Sequence, residues 1–312
     1  MGFEVLIEFS FYFCSMVSID PKAISVQRLH HFLLAGVSPR PIALASTIDQ
    51  HGQPNVAPFS FFNVFSANPP ILIFSPARSG RTNETKDTLK NVLEHPEVVI
   101  NMVDYSMVEQ ISLASSPFER GVNEFTKAGL TPLASEIVKP YRVAESPVQL
   151  ECKVNEIIAL GNEGGAGNLV VCEVVKMHID ERVLDEDGMI DSLKIDLVSR
   201  MGGDWYCRAD AASMFEIKKP ITTVGIGFDQ LPTDILQSPY LSPSDLAKLA
   251  GIEALPNETD VNEFKLIELS EYFVSLVDEP STLEKELHLL AKEKLNENKL
   301  EDAWKVLLSF NN

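Results

Sequence analysis

Between residues 40 and 180 this chain is a succession of short apolar runs, each closed by turn-forming residues. RPIALASTI (40–48) ends in DQHGQPN. VAPFSFFNVFS and PPILIFSPA follow, then EVVINMV (97–103), PVQLECKVNEIIALG (147–161) and NLVVCEVVKMHID (168–180). Val, Ile and Phe dominate at lengths typical of strands. Helical spacing interrupts them in PKAISVQRLHHFLLAG (21–36), TKDTLKNVLEH (85–95) and YSMVEQISLASS (105–116). A parallel βαβ sheet needs a helix between nearly every strand pair, so the pattern predicts a barrel-like β domain decorated by helices. GNEGGAGN (161–168) fits neither GxGxxG nor GxxxxGK[ST] and sits between two strand runs, which reads as a hairpin connection.

The pattern changes after KKPIT (218–222). SPSDLAKLAGI has Ser242 or Ser244 as a cap, and the final stretch predicts a hairpin of amphipathic helices over 281–296 and 299–310. The expected division is an extra segment at 1–15, a β domain over 16–219 and an acidic helical extension over 220–312. The apolar stripes of the extension need a partner surface, either the barrel or a second subunit. The opening MGFEVLIEFSFYFCS is apolar but carries Glu4 and Glu8 and has no basic n-region. It reads as an upstream extension before a native start at Met16, not as a signal peptide.

Charge narrows the function classes. The net charge is −19, yet residues 38–90 hold five Lys/Arg against three Asp/Glu, while 220–312 hold seven against seventeen. An acidic chain lacks the basic footprint that nucleic acid or an anionic membrane requires. No segment reaches membrane-spanning length. The four cysteines form no CxxC pair and the histidines have no ligand spacing, so no metal site is expected. Reduced thiols fit a cytoplasmic protein.

The least acidic stretch also holds the candidate site. SPRPIALAST places Arg40 between two prolines and ends in Ser46 and Thr47. NVAPFSFFNVFS sets Ser60 and Asn63 among phenylalanines, including Phe61 and Phe62, and reads either as core packing or as the wall of a flat heterocycle. RSGRTNETKDTLKNVL adds Arg78, Arg81, Lys86 and Thr88. TKDT has two readings: Asp87 or Thr85 caps the helix, or Lys86 and Thr88 seat an anion on its open N–H groups.

These segments, with PPILIFSP, VVINMV, SSPFERGVNEFTKAGL, SPVQLECKV and RMGGDWYCR, resemble the flavin reductase-like family of FMN-binding split-barrel proteins over about residues 18–215. The family includes flavoredoxins and the reductase partners of two-component monooxygenases. The resemblance implies a mainly β (α+β) fold, a six-stranded antiparallel Greek-key split β-barrel with flanking helices, working as a homodimer with FMN near the interface. It implies that Ser46–Thr47 and Ser60-Phe61-Phe62-Asn63 lie along the flavin. Lys86 and Thr88, with Arg81 or Arg40, then meet its phosphate, segment 116–125 closes over the ring, and Trp205 and Tyr206 approach it. The implied activity is hydride transfer from NAD(P)H to flavin, with no dedicated catalytic residue. Reduced flavin or electrons then pass to a monooxygenase or another acceptor protein. The competing readings are an electron carrier or flavin store without strong reductase activity, and a β-barrel interaction protein with an acidic helical tail.

Overall fold

Strand β2 (Ala43–Ile48) is buried at all six positions, so the chain must supply cover for both of its faces. Side chains alternate across a strand, and the two faces meet different partners. Ala43 and Ala45 join one cluster with Phe74, Leu89, Val92 and Ile100. Leu44, with the nearby Ile42, joins a second with Met107, Ile111 and Phe125. The small side chains of ALAST let helices approach on both sides.

The computed structural model describes residues 16–217 and 219–311. The expected extra segment 1–15 lies outside the described residues. The chain divides into two compact units, the first ending at Phe215 and the second beginning at Glu216.

In the first unit, α1 (Val26–Gly36) begins at the cap Ser25, whose side chain accepts from the Arg28 N–H. β1 (Arg40–Pro41) and β2 follow, then β3 (Pro54–Phe59), β4 (Phe62–Ala67), β5 (Pro70–Phe74), α2 (Asp87–Glu94) and β6 (Glu97–Met102). Next come α3 (Val108–Ala114), α4 (Glu124–Ala128), β7 (Pro132–Leu133) and β8 (Arg142–Val143). The long strands β9 (Val148–Ala159) and β10 (Asn168–Ile179) precede the short β11 (Val198–Arg200) and β12 (Tyr206–Arg208). The main sheet is antiparallel in the order β3-β2-β6-β9-β10-β5-β4. β6 inserts between β2 and β9 while β5 returns to β10, the out-of-sequence pairing of a Greek-key path. GNEGGAGN joins β9 to β10, as its composition predicts.

The sheet has seven strands where six were expected. The run VAPFSFFNVFS accounts for the extra one: it breaks at Ser60 and Phe61 into β3 and β4, which lie at opposite edges of the sheet.

The second unit is helical: α5 (Thr233–Leu236), α6 (Pro243–Leu249), α7 (Glu258–Glu268), α8 (Ser270–Ser275), α9 (Pro280–Asn296) and α10 (Leu300–Leu308). Ser242 is the cap of α6, in a reciprocal capping box with Asp245. The stripes of α9 and α10 are covered within the unit itself, which corrects the sequence expectation for them, while Leu266, Ile267 and Val274 on α7 and α8 stay exposed. Leu283, Leu287, Ala291 and Leu295 of α9 pack with Leu249 and Trp304 in a core of the unit's own, and the Trp304 indole donates to the Leu249 carbonyl at 3.1 Å.

Two details of the first unit bear on redox chemistry and stability. Cys152 and Cys172 are fully buried. Burial pushes the Cys152 thiol up to about 12, with Glu151 adding to it, and moves Cys172 in the same direction. Glu151, on β9, is also fully buried. Its carboxylate accepts from the N–H groups of Glu136 (2.8 Å), Ile137 (2.7 Å) and Val138 (3.0 Å), and lies 2.7 Å from His178 Nε2. Burial alone raises such a group, but these bonds overcome it and hold the carboxyl at about 2.

The folded value lies below the ordinary 4.5, so this stabilisation is complete above pH 4.5 and is lost as pH falls toward 2. Glu151→Gln should cost roughly 2–3 kcal/mol at neutral pH and flatten that acid limb, as read by urea unfolding across the pH range.

Candidate functional site

Helix α2 starts without a side-chain cap. Its N-cap residue is Lys86, in extended conformation, and no side chain among the described residues accepts from the first-turn N–H groups. The cap reading of TKDT is thereby corrected: neither Thr85 nor Asp87 caps the helix. Asp87 occupies the first turn and pairs with Lys90 at 2.8 Å. The Lys86 side chain is exposed and has no partner among the described residues. The upstream loop supplies one more such cation, Arg81, since Arg78 closes the loop on Asn83 through bonds of 2.7 and 2.6 Å.

Thr88 stands in the first turn of this open end, buried, with its hydroxyl donating to Asn55 Oδ1 at 2.9 Å. Asn55 is the hub of a polar network. It also takes a 3.3 Å bond from Thr47 Oγ1, which accepts in turn from Asn91 Nδ2 at 3.0 Å. The Asn55 amide donates to Glu124 Oε1 at 2.9 Å, and Glu124 Oε2 accepts from the Val56 N–H at 3.2 Å. One side chain on β3 thus ties together β2, the start of α2 and the start of α4. Burial raises the Glu124 carboxyl, and hydrogen bonds from its own N–H, Val56 and Asn55 do not fully offset this.

The expected ligand residues separate into three groups. Ser46 and Thr47 are fully enclosed on β2, and Ser46 Oγ lacks a hydrogen-bond partner among the described residues. Phe62 is enclosed too, in the core beside Phe74, so none of these three side chains opens onto solvent. Thr88 is spent on Asn55. Arg40 is likewise consumed: it is buried and donates to the carbonyls of Leu34, Val37 (2.7 Å) and Met201 (2.9 Å) and to Ser60 Oγ (3.4 Å). Burial, with the like charge of Arg200, pushes its pKa down. A phosphate has no access to it. The second group, Lys86 and Arg81, is open to solvent at the α2 end of the sheet. Phe61, partly exposed with an edge contact to His30, and Asn63, exposed on β4, are also reachable.

The third group is a cleft of about 440 Å³ that brings Ser60 and Tyr206 together with Phe59, Ser112, Arg200 and Asp204. Trp205 lies next to Tyr206 in sequence but is 77% exposed. Sequence reasoning missed Asn55, Asn91, Glu124 and Arg200. Asn55 and Glu124 lie inside quoted motifs, NVAPFS and VNEF, and only their pairing across 69 residues marks them.

The family model described as the flavin reductase like domain matches residues 35–194, just over half of the chain. The chain belongs to the flavin reductase-like family. Among solved structures, component B of nitrilotriacetate monooxygenase from Bacillus cereus is similar at 30% identity and TM-score 0.61, covering 65% of this chain and 99% of that one. The 2-nitrobenzoate 2-nitroreductase of Pseudomonas fluorescens is similar at 27% identity and TM-score 0.60, covering 68% and 100%. A Shewanella frigidimarina protein assigned as a flavin reductase with a split barrel domain follows at 26% identity and TM-score 0.54, covering 63% and 96%. This flavin reductase-like domain is therefore a split barrel, and its family ties it to flavin-linked redox chemistry.

The raised Glu124 carboxyl gives a signed pH effect. Its folded value exceeds the ordinary 4.5, so its contribution to stability is present below pH 4.5 and is lost as pH rises through the raised value. Glu124→Gln should abolish that decline, measured by urea unfolding between mildly acidic and neutral pH.

Proposed function

We propose that the chain is an FMN-dependent NAD(P)H:flavin oxidoreductase, with the cofactor phosphate on the open start of α2. The observation that carries this reading is the uncapped helix end with exposed Lys86 as its N-cap residue. First-turn N–H groups without a side-chain acceptor suit an anion, and the Lys86 ammonium adds a charge-assisted bond. Arg81 supplies further positive potential from the preceding loop. Asp87, the like charge in that turn, is held by Lys90. Asn55 sets the height of the helix end against β3 through Thr88.

From Asn55 to Ser60 is five residues of extended chain, roughly 16 Å. Along β3 that length leads from the Asn55 anchor beneath the helix end toward Phe61 and Asn63, which would provide an aromatic face and an amide for the ring. When bound, FMN supplies hydride acceptance from NAD(P)H and onward electron transfer, and no catalytic acid–base pair is required of the protein. The protein's part is to fix the phosphate, present the ring and exclude water on one side.

A homodimer fits the exposed apolar surface. No residue of α1 is buried, and Val26, Phe32 and Leu33 are exposed on it. Edge strand β4 adds Val64 and Phe65, each 63% exposed. A second copy covering these surfaces would also stand beside Phe61. The similarity to a monooxygenase component B supports a monooxygenase as the electron acceptor in the cytoplasm.

Lys86→Ala should weaken FMN binding by about 1.5–3 kcal/mol, at least tenfold in Kd, in a fluorescence titration. Unchanged affinity would remove Lys86 from the phosphate seat. NADH or NADPH oxidation with FMN present separates a reductase from an electron carrier, because a carrier leaves the nicotinamide unoxidised. A chain ending at Phe215 should retain flavin affinity, since all these contacts lie in the first unit. Loss of binding by a folded truncation would assign part of the site to the second unit.

A further inference from the structure

Two guanidinium groups oppose each other in the small sheet: Arg40 on β1 and Arg200 on β11 are direct cross-strand partners. Like charges placed opposite each other destabilise a ladder. Arg40 has a structural reason for its place, since it holds three backbone carbonyls. Arg200 does not. It gives one bond, Nη2 to the Gly203 carbonyl at 2.8 Å, and its remaining N–H groups have no acceptor among the described residues. Its guanidinium lies 4.4 Å from the centre of the Tyr206 ring, which restrains its plane. Both Arg200 and Tyr206 line the 440 Å³ cleft.

The rest of the lining defines what such a fork would meet. Ser60 Oγ accepts from Arg40 Nε, so its own O–H remains to donate. Phe59 and Tyr206 contribute apolar surface to a cleft of small-molecule dimensions whose open lining is mostly polar. Asp204, exposed, stands in the same lining and opposes a second negative charge.

We infer that this cleft binds a small aromatic carboxylate, with Arg200 selecting its charge and Ser60 adding a second donor. A restrained guanidinium matches a carboxylate through two parallel bonds, which an ammonium does not reproduce. One free cation facing one rim carboxylate admits a single negative charge and disfavours a dianion. The cleft lies apart from the Lys86 phosphate seat but adjoins Phe61 through Ser60, so the assignment is made for the FMN-bound protein.

The test is calorimetric titration of the full-length, FMN-saturated protein with benzoate, with benzamide as the uncharged isostere and inorganic phosphate as the dianion. Benzoate should bind at least about tenfold more tightly than benzamide. Arg200→Gln should reduce benzoate to the benzamide level, and Arg200→Lys should recover only part of the loss. Thermal unfolding checks each variant. If Arg200→Gln does not fold, Ser60→Ala decides, with severalfold weaker benzoate binding expected. Equal affinity for benzoate and benzamide overturns the assignment, as does unchanged binding in the folded variants or tighter binding of phosphate. Absence of benzoate binding to the FMN-saturated protein also overturns it, because the cleft would then be filled by the flavin or by nothing of this class. A protein that takes up no FMN would sink the flavin reading while leaving the benzoate titration equally decisive.

Discussion

The first unit depends on β2 being covered on both faces. A strand with six buried residues cannot lie at a solvent boundary, so α2 must close one side while α3 and α4 close the other. Every feature of the candidate site inherits its position from this arrangement. The open end of α2 projects where it does because Leu89 and Val92 are committed to Ala43 and Ala45. The cleft exists because α3 and the β11–β12 ribbon stand over the end of β3.

Within that scaffold, polar groups fix register where apolar packing alone would allow sliding. Asn55 and Glu151 are the two main anchors, and both work through bonds to distant backbone or side-chain atoms. Burial raises both carboxyls involved, Glu151 itself and Glu124 beside Asn55, yet their net shifts are opposite. Glu151 receives three backbone N–H bonds and a histidine, enough to overcome desolvation. Glu124 also receives three bonds, but burial outweighs them. Similar enclosure thus gives opposite pH responses, and the number and strength of donors decide the sign.

Much of the architecture was legible because it follows from local pattern. The six apolar runs, the hairpin at 161–168 and the paired C-terminal helices were readable from periodicity and turn residues. The break at Ser60–Phe61 was not, because an uninterrupted aromatic run carries no signal that its halves go to opposite edges of a sheet. Site residues were harder still. Arg40 and Thr88 have the right chemistry for an anion, yet the fold consumes their donors internally. Such internal use arises from contacts such as Arg40 to Met201, separated by 161 residues. The position of Lys86 was legible for the opposite reason: it sits at a helix start, which local sequence pattern alone marks. The C-terminal unit's self-sufficiency was hidden because a stripe on one helix does not reveal what covers it.

The placement of the cysteines has a consequence for any electron-handling role. Cys152 and Cys172 are buried with thiols shifted far from thiolate formation, so neither offers electrons an alternative sink or oxidants an easy target. Among the described cysteines only Cys207 is partly accessible. It follows Tyr206 directly in β12, so side-chain alternation along the strand turns it to the face opposite the cleft-lining Tyr206 ring. Alkylation or oxidation of the described thiols is therefore steered to Cys207 on the small sheet and leaves the core of the main sheet intact.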